Sequence, residues 1–372
     1  MLFYLPLESY VERYTYFMSC KNGWAESHFK NNNVDFVRID GEQLGQSILT
    51  GNVLDAHGRC YYAMTQTAKL IKLLQEGKVK DDDVVYLEDF WHPGVESLFY
   101  IRSLSNVNFK IGTFLHAQSV DDTDFTYSMR NWMRPIEQGY GVGYDFIFVT
   151  SEILKGLCIK AGISAEDKIH NIGLPFNSKR LKEQLASVGF KPKITKSDYV
   201  LFSSRFDDEK DPNFFLDVVE ACPNIEFKLV KPRAYLTKNE QVLMRVDKIL
   251  NQINSNLEVV DTHSKVDYYD LLSGAKVQFN CAHQDWVSWT LLEAITFKCL
   301  PLYPIWKDFP VELRNNPKYL YEKQNLYDCI AHLKVLMNTE CFDDNLNYVV
   351  EKHDNSWNDY LSIMKLVRSK YV

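Results

Sequence analysis

Residues 277–304 read VQFNCAHQDWVSWTLLEAITFKCLPLYP. Val277 to Asn280 is a short apolar run of strand character, Cys281 to Asp285 a polar turn, Trp289 to Phe297 a helical stretch, and Leu300 to Tyr303 a second apolar strand. Strand, loop, helix and strand in that order make one unit of a parallel sheet. In such a unit the loop and the helix N-terminus present backbone N–H groups that have no intrahelical partner, and these suit an anion. The N–H groups of Trp286, Val287 and Ser288 are placed to cradle one. Asp285 and Glu293 frame the turn and the helix, with seven residues between them. A carboxylate at either place can accept hydrogen bonds from hydroxyl groups.

The same alternation runs outward in both directions. Upstream, Tyr199 to Phe202 reads as a strand whose loop carries Arg205, Glu209, Lys210 and Asp211, and Pro212 opens the next helix, a position that suits proline. Arg205 can fork two phosphate oxygens and Lys210 can add a point charge. Strands are expected at 225–230 and 257–260, with helices at 239–254 and 268–273. An earlier series holds strands at 2–5, 34–39, 84–87, 110–115, 146–149 and 170–172. Its helices fall at 25–31, 61–74, 95–104 and 153–161, and 127–135 reads as a polar, aromatic loop or helix. Glu88 and His116 stand at the carboxyl ends of their strands, where sheets of this kind hold ligands. Two α/β domains follow: 1–176, then 177–355 after a lysine-rich boundary, with a last helix, 356–372, packing back toward the first.

Size and composition agree. A chain of 372 residues with 46% hydrophobic and 24% charged residues is long for one core. A net charge of −7 with no basic half or tail does not announce a nucleic-acid binder. Eight cysteines show no CxxC or Cys/His metal spacing and read as small buried hydrophobes of a reducing, cytoplasmic compartment. No leader and no membrane span are expected, because no apolar run approaches about 18 residues.

Four pieces of sequence carry a family resemblance. They are Tyr144 to Glu152 followed by 168–173, Leu201 to Phe206 with Glu209 to Pro212, Val266 to Ala275, and Asp285 to Ala294 with Cys299 to Leu302. Together they resemble the GT-B glycosyltransferases, most closely the retaining family 4 type. The likeness runs through most of 140–313 and is weak before residue 80. It implies two Rossmann-like doubly wound α/β domains facing across a cleft. It also implies a nucleotide-sugar co-substrate, UDP- or another NDP-sugar, with no further cofactor and no metal. In it Arg205 and Lys210 grip the donor diphosphate, Asp285 holds the donor sugar, Glu293 holds the nucleotide ribose, and His116 lies near the sugar. His116 and Asp285 are thereby the catalytic candidates. The chain departs from the pattern in four places: Asp285 replaces glutamate, Trp286-Val287-Ser288 lacks glycine, Lys298 stands where glycine is usual, and Tyr14 to Trp24 replaces a glycine-rich loop.

The acceptor is open between a saccharide or lipid-linked sugar, a small molecule and a modified DNA base. The run Cys299 to Phe309, CLPLYPIWKDF, faintly resembles phage enzymes that glycosylate hydroxymethylated cytosine. For a flipped base, Arg13, Tyr14, Lys21, Trp24, Arg130, Trp132 and Arg134 would supply interleaved cations and aromatic faces. A non-catalytic nucleotide-sugar binder is the reading outside enzymology.

Overall fold

The computed structural model describes residues 1–8, 23–44, 55–116, 119–231 and 236–369, with side chains through residue 363. Its strands form two sheets, each of six strands and parallel at every pairing. The first sheet comprises β1 (Leu2–Leu5), β2 (Phe36–Arg38), β3 (Val84–Leu87), β4 (Lys110–Phe114), β5 (Phe146–Val149) and β6 (Ile169–Asn171), in the order β2-β1-β3-β4-β5-β6. The second comprises β7 (Ser197–Phe202), β8 (Glu226–Lys231), β9 (Leu257–Asp261), β10 (Ala275–Phe279), β11 (Leu300–Pro304) and β12 (Leu320–Tyr321), in the order β12-β11-β10-β7-β8-β9. Helices connect successive strands, as parallel pairing requires. Every residue of β1, β3, β4 and β5 is buried, as expected of strands covered on both faces.

The chain forms two compact units. One takes the described residues up to Pro175 together with those from Asn355 onward, and the other takes Phe176–Asp354. The helix Ser356–Ser369 belongs to the first unit. There Tyr360 meets Tyr86 edge-on, with ring centroids 4.8 Å apart, and lies 5.1 Å from Phe148. Among the described residues, no helix is long and apolar enough to cross a membrane.

Three elements differ from their sequence expectations. The loop or helix expected at 127–135 is a helix over Arg130–Gly143, running through Pro135 and three glycines. Its glycines serve close packing: a Cβ on Gly141 would lie 1.7 Å from the Ile163 carbonyl oxygen, and one on Gly143 2.6 Å from the Phe99 ring. The helix expected from Tyr61 begins at Ala56, because the Asp55 carboxylate accepts a hydrogen bond from the Gly58 amide. The pair Leu320–Tyr321 is too short to stand out by composition, yet it adds the edge strand β12.

Candidate functional site

In the second sheet the strand order reverses between β7 and β10, which are neighbours although two strands, β8 and β9, separate them in sequence. Ligands of open α/β sheets bind at the carboxyl ends of the strands beside such a reversal. The loops that leave those ends are 203–211 and 280–288. They are tied together at several points. The Lys210 ammonium lies 2.5 Å from Asp285 Oδ1. The His283 amide donates to the Glu209 carbonyl at 2.9 Å, and the Cys281 thiol donates to the Lys210 carbonyl at 3.3 Å. Arg205 pairs with the Glu209 carboxylate, and Glu209 Oε1 also lies 3.8 Å from the Lys210 ammonium. Asp211 adopts φ 53°, caps the helix Pro212–Ala221 through the Phe214 amide, and lies 3.2 Å from His283 Nε2. Thus Arg205, Lys210 and Asp285, 80 residues apart in sequence at the extremes, are joined in one chain of ionic contacts through Glu209. Two cations and two carboxylates placed this way can exchange these contacts for phosphate oxygens and sugar hydroxyls.

Ser288 precedes the helix Trp289–Thr296 but does not cap it; its hydroxyl meets that of Thr290 at 2.7 Å, and Thr290 meets the Tyr303 hydroxyl at 3.2 Å. Trp286 lies under the Lys307 ammonium, 4.4 Å from the ring centroid.

Glu293 is only 1% exposed. Its Oε1 accepts from the Tyr269 hydroxyl at 2.5 Å and from the Trp289 indole at 2.8 Å, and its Oε2 accepts from the Tyr268 hydroxyl at 2.7 Å. Burial pushes its pKa up, against the opposing pull of Lys265 and these three donors. Sequence reasoning found the acid and missed its tyrosines, which stand on the helix Lys265–Gly274.

In the first sheet the order reverses between β1 and β3. Glu88 follows β3 and is 2% exposed, and the Tyr4 hydroxyl of β1 donates to its Oε1 at 3.0 Å. Burial raises Glu88 to about 7, with Asp89 adding to the rise and Tyr4 opposing it. Beside it Arg59 bonds Glu8 at 3.2 Å and Asp89 at 2.6 Å. His92 meets Thr67 Oγ1 at 3.1 Å, and burial with the nearby Arg59 lowers it to about 3. His116 ends the segment after β4, and its Nε2–H donates to the Glu88 carbonyl at 2.7 Å. The acidic turn after it is locally committed: Asp121 and Asp124 accept from the Thr123 and Thr126 amides and hydroxyls.

The aromatic and basic acceptor candidates separate. Trp24 is 1% exposed within the helix Trp24–Asn31, so its ring is core and not a platform. It falls on the helix face that also buries Ala25 and Phe29. Trp132 is 54% exposed and meets Trp91 edge-on at 6.0 Å. Arg130 stacks over Tyr127 at 4.2 Å. Arg134 is engaged by Ser119. Arg13, Tyr14 and Lys21 lie outside the described residues.

No protein-family model matches the chain, and no curated protein matches its sequence. Solved structures do match it end to end. A glycosyltransferase from Rickettsia africae aligns over 99% of this chain and 98% of its own, with a TM-score of 0.61 at 13% identity. A UDP-forming trehalose-phosphate synthase from Burkholderia vietnamiensis aligns over 99% and 97%, with a TM-score of 0.66 at 12% identity. The Escherichia coli trehalose-6-phosphate structure bound with UDP-2-fluoro glucose aligns over 98% of each chain, with a TM-score of 0.64 at 11% identity. The fold is GT-B. Within that fold the β7/β10 crevice is the place where this chain gathers its paired cations and acid.

Proposed function

We propose that the protein is a glycosyltransferase that moves a sugar from a nucleoside-diphosphate sugar to a hydroxyl group, with retention at the anomeric carbon. The observation that carries this reading is the contact of Lys210 with Asp285 beside Arg205, at the strand-order reversal of the second sheet. Departure of the nucleoside diphosphate leaves negative charge on the phosphate oxygens. Arg205 and Lys210 are positioned to receive it, and fixed charges of this kind stabilise a transition state with little reorganisation. Asp285, released from Lys210 when phosphate arrives, accepts hydrogen bonds from the donor sugar. The amides of Trp286, Val287 and Ser288 complete the phosphate cradle. Glu293 reaches the ribose through the remaining lone pair of Oε2, and its larger share of work is to fix Tyr268, Tyr269 and Trp289. One of the matched folds holds UDP-2-fluoro glucose, which supports a nucleotide sugar as the donor class.

The acceptor is a saccharide hydroxyl in this reading, recognised at the β1/β3 reversal. Glu8 and Asp89, bridged by Arg59, lie there beside the buried Glu88, and His116 stands at its edge; a set of hydrogen-bonding groups of this kind suits a polyol. The burial of Trp24 removes one aromatic face from the DNA reading. The deciding experiment has two arms. Nucleoside diphosphates and their sugars are screened for a rise in Tm, since a ligand that binds the folded state stabilises it by mass action. Donor turnover is then followed with saccharides and with hydroxymethylated DNA. Tm rises with diphosphates and turnover with a saccharide support the proposal. A Tm rise without any turnover indicates a nucleotide-sugar binder. Transfer to DNA moves the acceptor class, and the absence of any donor binding overturns the reading.

A further inference from the structure

The donor loop lacks the glycines that would let a backbone fold around phosphate unaided, and two adjacent side chains from another part of the sheet grip it. The segment after β11 carries Trp306 and Lys307. The Trp306 indole N–H donates to the His283 carbonyl at 2.7 Å, and the Lys307 ammonium donates to the Gln284 carbonyl at 2.8 Å. Consecutive residues therefore hold consecutive carbonyls of the loop that ends in Asp285. The same ammonium covers the Trp286 ring at 4.4 Å.

The backbone is arranged for this grip. Lys307 adopts φ 47°, a left-handed conformation that is strained for a residue bearing a Cβ. Trp306 is braced from its other side by Lys323, whose ammonium lies 3.3 Å from the indole ring centroid. Gln324, next in sequence, bonds the Asp211 carboxylate on the companion loop.

We propose that Trp306 and Lys307 are positioning residues for the donor phosphates, a clamp that sets the peptide planes of the 283–285 turn. A trans peptide carries its N–H opposite its C=O. Holding the His283 and Gln284 carbonyls therefore turns the Gln284 and Asp285 amides away from the clamp, and it fixes the backbone from which the Asp285 carboxylate reaches Lys210. In this chain the side-chain grip does the work that glycine flexibility does elsewhere. The inference rests on the donor reading given above.

The test uses the full chain and titrates UDP, ADP and the matching free nucleosides against the wild type and four variants: Trp306→Phe, Lys307→Met, Lys307→Arg and the double variant Trp306→Phe/Lys307→Met. Trp306→Phe keeps a ring under Lys323 and removes only the N–H. Both Trp306→Phe and Lys307→Met are expected to weaken nucleoside-diphosphate binding about tenfold while nucleoside binding stays within twofold. Lys307→Arg should restore most of the loss. The double variant should lose less than the product of the two, because both pins act on one turn. A merely structural role would lower Tm or weaken nucleoside and diphosphate alike, and that pattern overturns the clamp. Diphosphate binding unchanged in folded Trp306→Phe also overturns it, even where Lys307→Met fails to fold. Failure of the wild type to bind any nucleoside diphosphate removes the donor reading, and the clamp falls with it.

Discussion

At the β7/β10 reversal of the second sheet, Arg205 pairs with Glu209, and Lys210 with Asp285 and Glu209, all on loops and through contacts that a ligand can replace. At the β1/β3 reversal of the first sheet, Glu88 sits at the strand end itself, sealed under Tyr4, with the charged pair Arg59 and Asp89 beside it. Both sheets are six-stranded and parallel, and both collect chemistry where the strand order turns. The difference lies in the partners. Lys210 is buried but stands beside two carboxylates, Asp285 and Glu209, whereas the buried Glu88 carboxyl has one hydroxyl donor and is pushed toward neutrality. One architecture thus yields an edge of paired cations and carboxylates and an edge whose charge depends on pH.

The largest effect should come from breaking the first of these. Lys210→Ala leaves Asp285 without its ammonium and removes a cation from the phosphates. Donor kcat/KM should fall a hundredfold to a thousandfold, about 3–4 kcal/mol, with Tm changed by only a few degrees. Steady-state kinetics across donor concentrations checks this. A loss under threefold would place the phosphate site elsewhere.

The second edge is tested by pH. Glu88 titrates at about 7 in the folded chain against an ordinary 4.5 when unfolded. The folded state therefore holds the proton more tightly, so this contribution to stability is complete below 4.5 and lost as pH rises through 7. His92, lowered to about 3, acts in the opposite sense. Its contribution is complete above 6.5 and lost as pH falls toward 3. Glu88→Gln keeps an acceptor for Tyr4 and cannot ionise. Relative to the wild type it should gain stability from pH 5 to pH 8, by up to about 3 kcal/mol, as read by denaturant melts at each pH. Parallel pH profiles would show that Glu88 stays charged in the fold, and the contrast between the two edges would disappear.

The gathering of Arg205, Lys210 and Asp285 was legible in the sequence, because each follows a strand directly. Arg205 and Lys210 lie just after β7, and Asp285 lies just after β10, so a reading of strands alone sends them to one edge. Glu293 was legible as an acid inside the helix that follows, where it stands. Its surroundings were not, since Tyr268 and Tyr269 come from a different helix and meet it only through packing. Trp306 and Lys307 were invisible for a like cause: their targets are backbone carbonyls, which leave no mark in a sequence. Trp24 was misplaced because charged neighbours obscured the buried face of a short helix. Glu88 was legible as a strand-end residue, but its burial was not.

Glu293 allows the packing term to be separated from the ligand term. Glu293→Gln should cost about 2 kcal/mol of stability, because a buried charge-assisted set of hydrogen bonds is replaced by neutral ones and one amide hydrogen faces Tyr268. Donor KM should rise threefold or less if most of the carboxylate's work is internal. A tenfold rise in KM with unchanged stability would make ribose contact its main task.

The smallest effect concerns a departure that was visible from the start. Lys298 stands where the resembled family has glycine, and it adopts φ 58° just past the helix Trp289–Thr296. Its amide donates to the Ile295 carbonyl at 3.0 Å, and the Cys299 amide donates to that of Ala294 at 2.8 Å, so the left-handed turn closes the helix even without glycine. A residue bearing a Cβ is strained there. Its ammonium lies 3.6 Å from Asp344 on the surface, a contact worth little in water. Lys298→Gly should therefore raise stability by about 0.5–1 kcal/mol, less than the relief of strain alone, since glycine also gains freedom in the unfolded chain. Donor kcat/KM should not change, because the turn lies at the far end of the helix from Asp285 and the phosphate cradle. An equilibrium melt together with a donor saturation curve checks both halves. A change in kcat/KM would mean that this end of the helix is coupled to the donor loop, and that the donor edge is less locally built than its contacts imply.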